Sequence, residues 1–269
     1  MIIDFHAHVF PDKIASKTIE LLSEKGGIPA FSDGSFGGLL SSMRTAGVDI
    51  SVNLPVITNP AQFDSVNRFA AAINGEFSKC GRGIVSFAGI HPACDGLEEK
   101  MAWIKEMGFL GVKIHPDYQE TYFDDERYLR ILSAAKELDL AVVTHAGVDG
   151  GFRGCPVRAT PERSAKVIEA AGHSKLVLAH LGANEMHDEV IRFLCGKDVY
   201  FDTAYVLRYV DRSDFLKIVD LHGKNKILFA SDSPWSDQAG DVKILKSYSL
   251  DKSTEEMILC ENAKALLGI

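Results

Sequence analysis

The sequence predicts a closed barrel of eight parallel strands, each followed by a helix, a (β/α)8 fold of TIM-barrel type. Three observations lead there. Eight short runs rich in β-branched and aromatic residues recur along the 269 residues. Most are nearly continuous in apolar residues, as strands covered on both faces are. Helical patterns alternate with them. Eight strand–helix units in a chain of this length match a closed barrel, whereas an open doubly wound sheet usually ends near about five or six strands.

Taken in order, the strand runs are MIIDF (1–5), ISVNLPV (50–56), GIVSFAGI (83–90), GVKI (111–114), AVVTHA (141–146), KLVLAHL (175–181), VYFDTAY (199–205) and KILFASD (226–232). Among the helices, DERYLRILSAAKELDL (125–140) places Tyr128, Ile131, Leu132, Ala135 and Leu138 on one face at helical spacing. TPERSAKVIEAAG (160–172) begins with Thr160 as N-cap and Pro161 at the first helical position. STEEMILCENAKALLGI (253–269) begins with a capping box from Ser253 and Glu256. Two Gly-rich stretches, 24–38 and 147–159, read as long surface loops able to serve as a lid or substrate loop, or as plain mobile connections. No interdomain linker interrupts the pattern, so residues 1–269 are expected to form one domain.

Composition narrows the function classes. The apolar fraction of 46% supports a sizeable core, and 29 basic against 37 acidic residues give a formal charge of −8. With no run of Lys and Arg to track phosphates, nucleic acid is not an expected partner. Cys80, Cys94, Cys155, Cys195 and Cys260 are scattered and form no close metal-binding or redox pair. They read as reduced thiols, mostly core filler, in a cytoplasmic protein. There is no secretory leader pattern and no membrane-length apolar run. A small molecule is the expected partner, with a homodimer through exposed helices as the expected assembly.

Barrel enzymes build their sites at the C-terminal ends of the strands, where inward side chains meet. Those ends carry His6 and His8, His91, Lys113 and His115, His145, His180 and Asp232. In "DFHAHVF", spacing by two places His6 and His8 on one face, so both can meet one cation while a further imidazole and a carboxylate arrive from other strands. Three His and one Asp around an open position suit Zn²⁺ first, with Mn²⁺, Fe²⁺ or Co²⁺ as alternatives. His91, alone at its strand end, reads as a satisfied polar cap. Asp4, two residues before His6, reads either as a carboxylate orienting a ligand imidazole or as a hydrogen-bonded barrel residue lower down.

"DFHAHVF" resembles the D-x-H-x-H opening of the amidohydrolase superfamily. RTAGVDISVNLP, GVKIHP, VVTHAG, LVLAHLG, FASDSPW and ENAKALLGI are similar, in order and spacing, to successive blocks of its amidohydrolase-related branch. That branch includes metal-dependent hydrolases and aminocarboxymuconate-semialdehyde decarboxylase. The resemblance spans nearly the whole chain. It implies that His6, His8, His145 and Asp232 bind the metal, and that His180 either binds a second metal or acts beside the first as a catalytic residue. The catalytic role suits an imidazole that titrates near neutrality. Lys113 matches a segment that in some relatives carries a carboxylated, metal-bridging lysine, which would imply two metals. The alternative is an unmodified lysine beside a single metal, and the one-metal pattern is favoured.

His115 reads as a substrate contact or a support for the ligands. Arg153 and Arg158 can clamp a substrate carboxylate or lie solvated. Trp235 either walls the pocket or packs beneath a loop. The leading expectation is a hydrolase in which metal-activated water attacks an amide, ester or lactone and Asp232 serves as general base. The alternative is a non-oxidative decarboxylase or hydratase on the same scaffold. A metal-binding protein without turnover is the third reading, and Asp232 argues against it.

Overall fold

A computed structural model of the chain describes residues 1–77 and 81–269; Cys80 lies outside the described residues. The strands are β1 (Ile3–Ala7), β2 (Ile50–Asn53), β3 (Gly83–Ser86), β4 (Ala88–Gly89), β5 (Gly111–Ile114), β6 (Ala141–Thr144), β7 (Leu176–Leu178), β8 (Tyr200–Asp202) and β9 (Ile227–Leu228). The helices are α1 (Asp12–Gly26), α2 (Phe36–Ala46), α3 (Phe63–Phe77), α4 (Leu97–Glu106), α5 (Glu126–Glu137), α6 (Pro161–Ala171), α7 (His187–Phe193), α8 (Arg212–His222), α9 (Gln238–Ser247), α10 (Lys252–Glu256) and α11 (Asn262–Leu267). A π-helical turn, Met257–Glu261, joins the last two.

All strand pairs are parallel, in the orders β1-β2-β3 and β4 through β9. The barrel closes where Phe5 N donates to Phe229 O (2.9 Å) and Asp232 N donates to His6 O (2.8 Å). Counted around the barrel there are eight strands, because β3 and β4 are one run interrupted at Phe87. The interruption has a local cause. Asn74 of α3 takes both backbone groups of Ser86, accepting from its N–H at 2.7 Å and donating to its carbonyl at 2.9 Å, so those groups are lost to the ladder although Ser86 stays in register with Asn53 of β2.

Two cores result. Between strands and helices lie the residues that face outward, such as Val112, Ile114, Leu178 and Phe201. Inside the barrel, Ile3, Phe5, Val52, Phe87, Val143 and Val177 pack together, and Ala263, Leu266 and Leu267 of α11 join them at the N-terminal end. The last helix therefore plugs one end, leaving the other for chemistry.

Local signals hold at most helix starts. Asp125 caps α5 by accepting from Arg127 N, and Thr160 caps α6 by accepting from Arg163 N, with Pro161 first in the helix. Tyr128, Ile131, Leu132 and Ala135 are buried as the periodicity requires, and Leu138 is half-buried. The capping box expected at Ser253 and Glu256 does not form, and the helix is capped two residues earlier by a single side chain. Asp251 accepts from both the N–H and the hydroxyl of Thr254, at 3.0 and 2.5 Å, because an aspartate two residues upstream offers the better acceptor. The stretch 24–38 is less loop than expected, since α1 runs on to Gly26 and α2 begins at Phe36. Of the described cysteines, all free, Cys94 and Cys260 are buried, Cys195 is half-buried and Cys155 is exposed. Among the described residues no helix is long and apolar enough to cross a membrane.

The strands are shorter at their C-terminal ends than the apolar runs. β7 stops at Leu178 and β9 at Leu228, and the chain then turns through left-handed backbone at His180 (φ 62°) and Asp232 (φ 70°). Non-glycine residues there carry strain of about 1–2 kcal/mol, which the surrounding fold must offset. Both are site residues.

Candidate active site

Among the described residues, β1 is the one strand whose register shifts, against β2 between Asp4 and Ala7. Ile3 and Phe5 consequently face the barrel interior, and so, one residue later, does His6. Asp4 faces the other way. Its carboxylate accepts from Ser231 N (2.9 Å), Ser231 Oγ (2.5 Å) and Gln238 Nε2 (2.6 Å), tying β1 to the chain after β9 and to α9. The expectation that Asp4 orients an imidazole is thus corrected in favour of its alternative, since a strand irregularity undoes the period of two.

The imidazole-orienting carboxylate is Asp202, at the end of β8. His6 Nδ1 lies 2.8 Å from Asp202 Oδ2, while the other carboxylate oxygen accepts from the N–H groups of His180 (2.9 Å) and Ala204 (3.0 Å). Burial raises the Asp202 carboxyl to about 7, against the pull of those hydrogen bonds and of the Lys113 charge. In the sequence this residue is the polar end of the VYFDTAY strand run. Exchanging Asp202→Asn is expected to weaken divalent-metal affinity by about 10–100-fold, as loss of a carboxylate behind a ligand imidazole does. Competition with a chelating dye measures it; unchanged affinity would show that His6 needs no such partner.

Three acceptor atoms converge beside this pair. Asp232 Oδ1 is 3.1 Å from His8 Nε2 and 3.5 Å from His6 Nε2, and ligand atoms of the three residues lie within 4.8 Å of one another. His8 Nδ1 is 2.9 Å from the carbonyl of Leu54, which can only accept, so that nitrogen carries the hydrogen and Nε2 of the neutral ring presents a lone pair. His6 likewise uses Nδ1–H on Asp202, and burial followed by the Lys113 charge holds its pKa well below the ordinary value, keeping the ring neutral. Two lone pairs and a carboxylate oxygen facing one another repel unless a cation lies among them. The donor set fits a divalent metal.

Lys113 Nζ lies 3.1 Å from His6 Nε2, and the side chain is fully buried. Burial lowers its pKa to about 8, opposed by Asp202, Asp232 and Asp149. The amine thus stands beside the His6 nitrogen that faces the site, where a bound cation would replace it as partner of that lone pair.

His145 does not join the three. Its Nδ1 is 2.9 Å from His180 Nε2, and its ring stacks on His115 with centroids 4.3 Å apart. Because His180 Nδ1 faces the Ala204 carbonyl (3.0 Å), the hydrogen between the two rings sits on His145. This leaves His145 Nε2 and Asp117 Oδ2, 4.0 Å apart, both buried and without a hydrogen-bond partner. His115, His145 and Asp149 form a second group with ligand atoms within 4.8 Å, held by a 3.3 Å contact from His115 Nε2 to Asp149. Of the four ligands expected, the geometry brings together His6, His8 and Asp232. Asp117 and Asp149 were not foreseen, since both sit in segments that read as loops.

The remaining candidates separate cleanly. His6, His8, Lys113, His145, His180 and Asp232 line one cavity of about 570 Å³, and His115, Arg153 and Trp235 line it too. Arg153 is bonded to Glu185 at the rim. Arg158 does not line the cavity; its guanidinium reaches the buried Asp117 at 3.4 Å, so it neutralises a carboxylate and is no substrate clamp. His91 accepts from Ala93 N through Nδ1, a polar cap outside the site. From 147–159, Val148, Asp149, Gly150 and Gly151 reach the cavity, so this loop is a wall of the site.

The family model described as "Amidohydrolase" matches residues 3–269, the length of the barrel. The chain belongs to the amidohydrolase family. No curated protein matches this amidohydrolase. Solved structures share its fold at low identity. It is similar to 5-carboxyvanillate decarboxylase from Sphingomonas paucimobilis, at TM-score 0.70 and 15% identity, covering 100% of this chain and 99% of the other. It is similar to 2,6-dihydroxybenzoate decarboxylase from Rhizobium, at 0.70 and 14%, covering 99% and 98%. A third is dihydroxybenzoic acid decarboxylase from Polaromonas sp. JS666, solved with bound manganese and an inhibitor, at 0.67 and 14%, covering 99% and 96%. The barrel expected for this amidohydrolase is the fold they share.

Proposed function

We propose that the protein is a divalent-metal-dependent, non-oxidative decarboxylase of a small carboxylic acid. This corrects the hydrolase expectation. The named enzymes among the structures reported above are decarboxylases, built on the same barrel over nearly the full length of both chains. A donor set able to hold a hydrolytic metal serves a lyase equally well, which is why the residues alone favoured the wrong reaction. The supporting observation in this chain is the convergence of His6 Nε2, His8 Nε2 and Asp232 Oδ1 within one cavity.

These three atoms would hold one cation, and Mn²⁺ is favoured over Zn²⁺ by the manganese in a similar structure and by the carboxylate in the set. When bound, the metal supplies positive charge that orients and polarises the substrate's oxygens. Lys113 adds a buried positive charge when protonated, and Asp202 fixes the His6 ring. The bond from carbon to carboxylate breaks, its electron pair stays on carbon, carbon dioxide leaves, and the carbon takes a proton. His180 is the residue we assign to deliver it. Burial holds its pKa down at about 4, so the resting ring is neutral and would relay to carbon a proton taken up from solvent, returning to the neutral form. His145, whose Nδ1 lies 2.9 Å from His180 Nε2, positions the ring.

Substrate screening with carboxylates, read by carbon dioxide release and deuterium uptake at the vacated carbon in D₂O, tests the reading. Release with one deuterium per turnover is expected. Solvent-oxygen incorporation across a broken acyl bond with no carbon dioxide would contradict it.

A further inference from the structure

The cavity extends well beyond the histidines. From their end it runs between α1 and α3, where Phe10, Ile14, Leu22, Ile28, Val66 and Phe69 line it. Ile14, Thr18 and Leu22 recur every four residues, a stripe along about 12 Å of helix. Facing it, Gln62, Ser65, Val66 and Phe69 share one side of α3 and the turn before it. Ile14 is 50% exposed although it lines a concavity, an apolar surface that a ligand would cover.

Of the polar groups in this arm, Gln62 Oε1, Thr58 Oγ1 and Ser65 Oγ are already engaged. Gln62 Oε1 accepts from the N–H groups of Thr58 (2.8 Å) and Asn59 (3.1 Å) and from Thr58 Oγ1 (3.2 Å), and Ser65 Oγ donates to Gln62 O (3.2 Å). The lysine and arginine side chains lining the cavity are Lys113, at the histidine end, and Arg153, bonded to Glu185. A charged head therefore finds its partners only beside the imidazoles.

We infer that the substrate is an acid with an apolar substituent, alkyl or aryl, that lies between α1 and α3 while the reacting carboxylate sits at the histidine end. The inference rests on the decarboxylase reading for the placement of the carboxylate, and on this chain's own arm for the rest. The substituent is selected chiefly by burial of hydrocarbon.

The test is calorimetric binding of benzoate and its 4-methyl, 4-ethyl and 4-butyl derivatives to Mn²⁺-supplemented protein. For full burial, affinity rises on the order of fourfold per carbon, so 4-butylbenzoate binds about 250-fold more tightly than benzoate. Val66→Asp places a charge in the arm and is expected to cut that ratio at least about tenfold. Phe69→Ser gives a second, independent reduction. The ratio is internal to each variant, so partial misfolding does not imitate the result. Equal affinities across the series, no binding by any member, or a ratio unaltered in both variants would overturn the inference. Carbon dioxide release is read separately. A rising series without release sinks the decarboxylase reading and leaves the arm standing; release with a flat series does the reverse.

Discussion

Asp232→Asn is expected to lower turnover by about a thousandfold or more while leaving the melting temperature close to that of the native chain. The loss follows from where the carboxylate stands. Its Oδ1 lies 3.1 Å from His8 Nε2 and 3.5 Å from His6 Nε2, between the two rings. An amide supplies no negative charge to join two neutral imidazoles around a cation, and its NH₂ group would face the lone pairs as a donor. The fold survives because the residue's structural role belongs to its backbone. Asp232 N donates to His6 O, closing the barrel, and Asn tolerates the left-handed conformation at φ 70° better than other side chains. Circular dichroism melts beside carbon dioxide release separate the two effects. Near-native turnover in a well-folded Asn variant would remove Asp232 from the chemistry.

Metal removal has the second large effect. Dialysis against a chelator is expected to reduce decarboxylation to background, and added Mn²⁺ to restore it. Stability changes with it, because a cation that binds only the folded chain stabilises by about 2.7 kcal/mol at a hundred times its dissociation constant. For a chain of this size that is roughly 5–10 °C in melting temperature. His8→Ala is expected to abolish the shift, since the ring presents Nε2 to the site while its Nδ1 is spent on Leu54. A variant that keeps the full metal-induced shift would place the cation elsewhere.

The barrel was legible because its two main signals are local. Apolar runs mark strands buried on both faces, and Thr160 with Pro161 marks a helix start whatever packs against it. The site was legible in part for a related reason: polar residues at the ends of apolar strands have few structural uses, and His6, His8, Lys113, His180 and Asp232 were visible on that ground. Three things lay beyond it. The shift of register between Asp4 and Ala7 depends on how β1 meets its neighbours, so the face of Asp4 could not be counted from spacing. Asp149 and Asp117 come from loops, whose paths are set by tertiary contacts. The turn of His145 toward His180 and His115 is a choice among side-chain contacts that periodicity does not encode. Asp202 is different, for it ended a recognised strand as His180 did and needed only the same rule applied once more.

The account depends most on a single ion shared by two strand-one imidazoles and the aspartate that follows the last strand. Anomalous diffraction at the manganese edge, from crystals grown with Mn²⁺, measures this directly. The account predicts one peak within about 2.0–2.3 Å of His6 Nε2, His8 Nε2 and Asp232 Oδ1. A fully occupied peak at the His115, His145 and Asp149 group, with none at the first three, would contradict it.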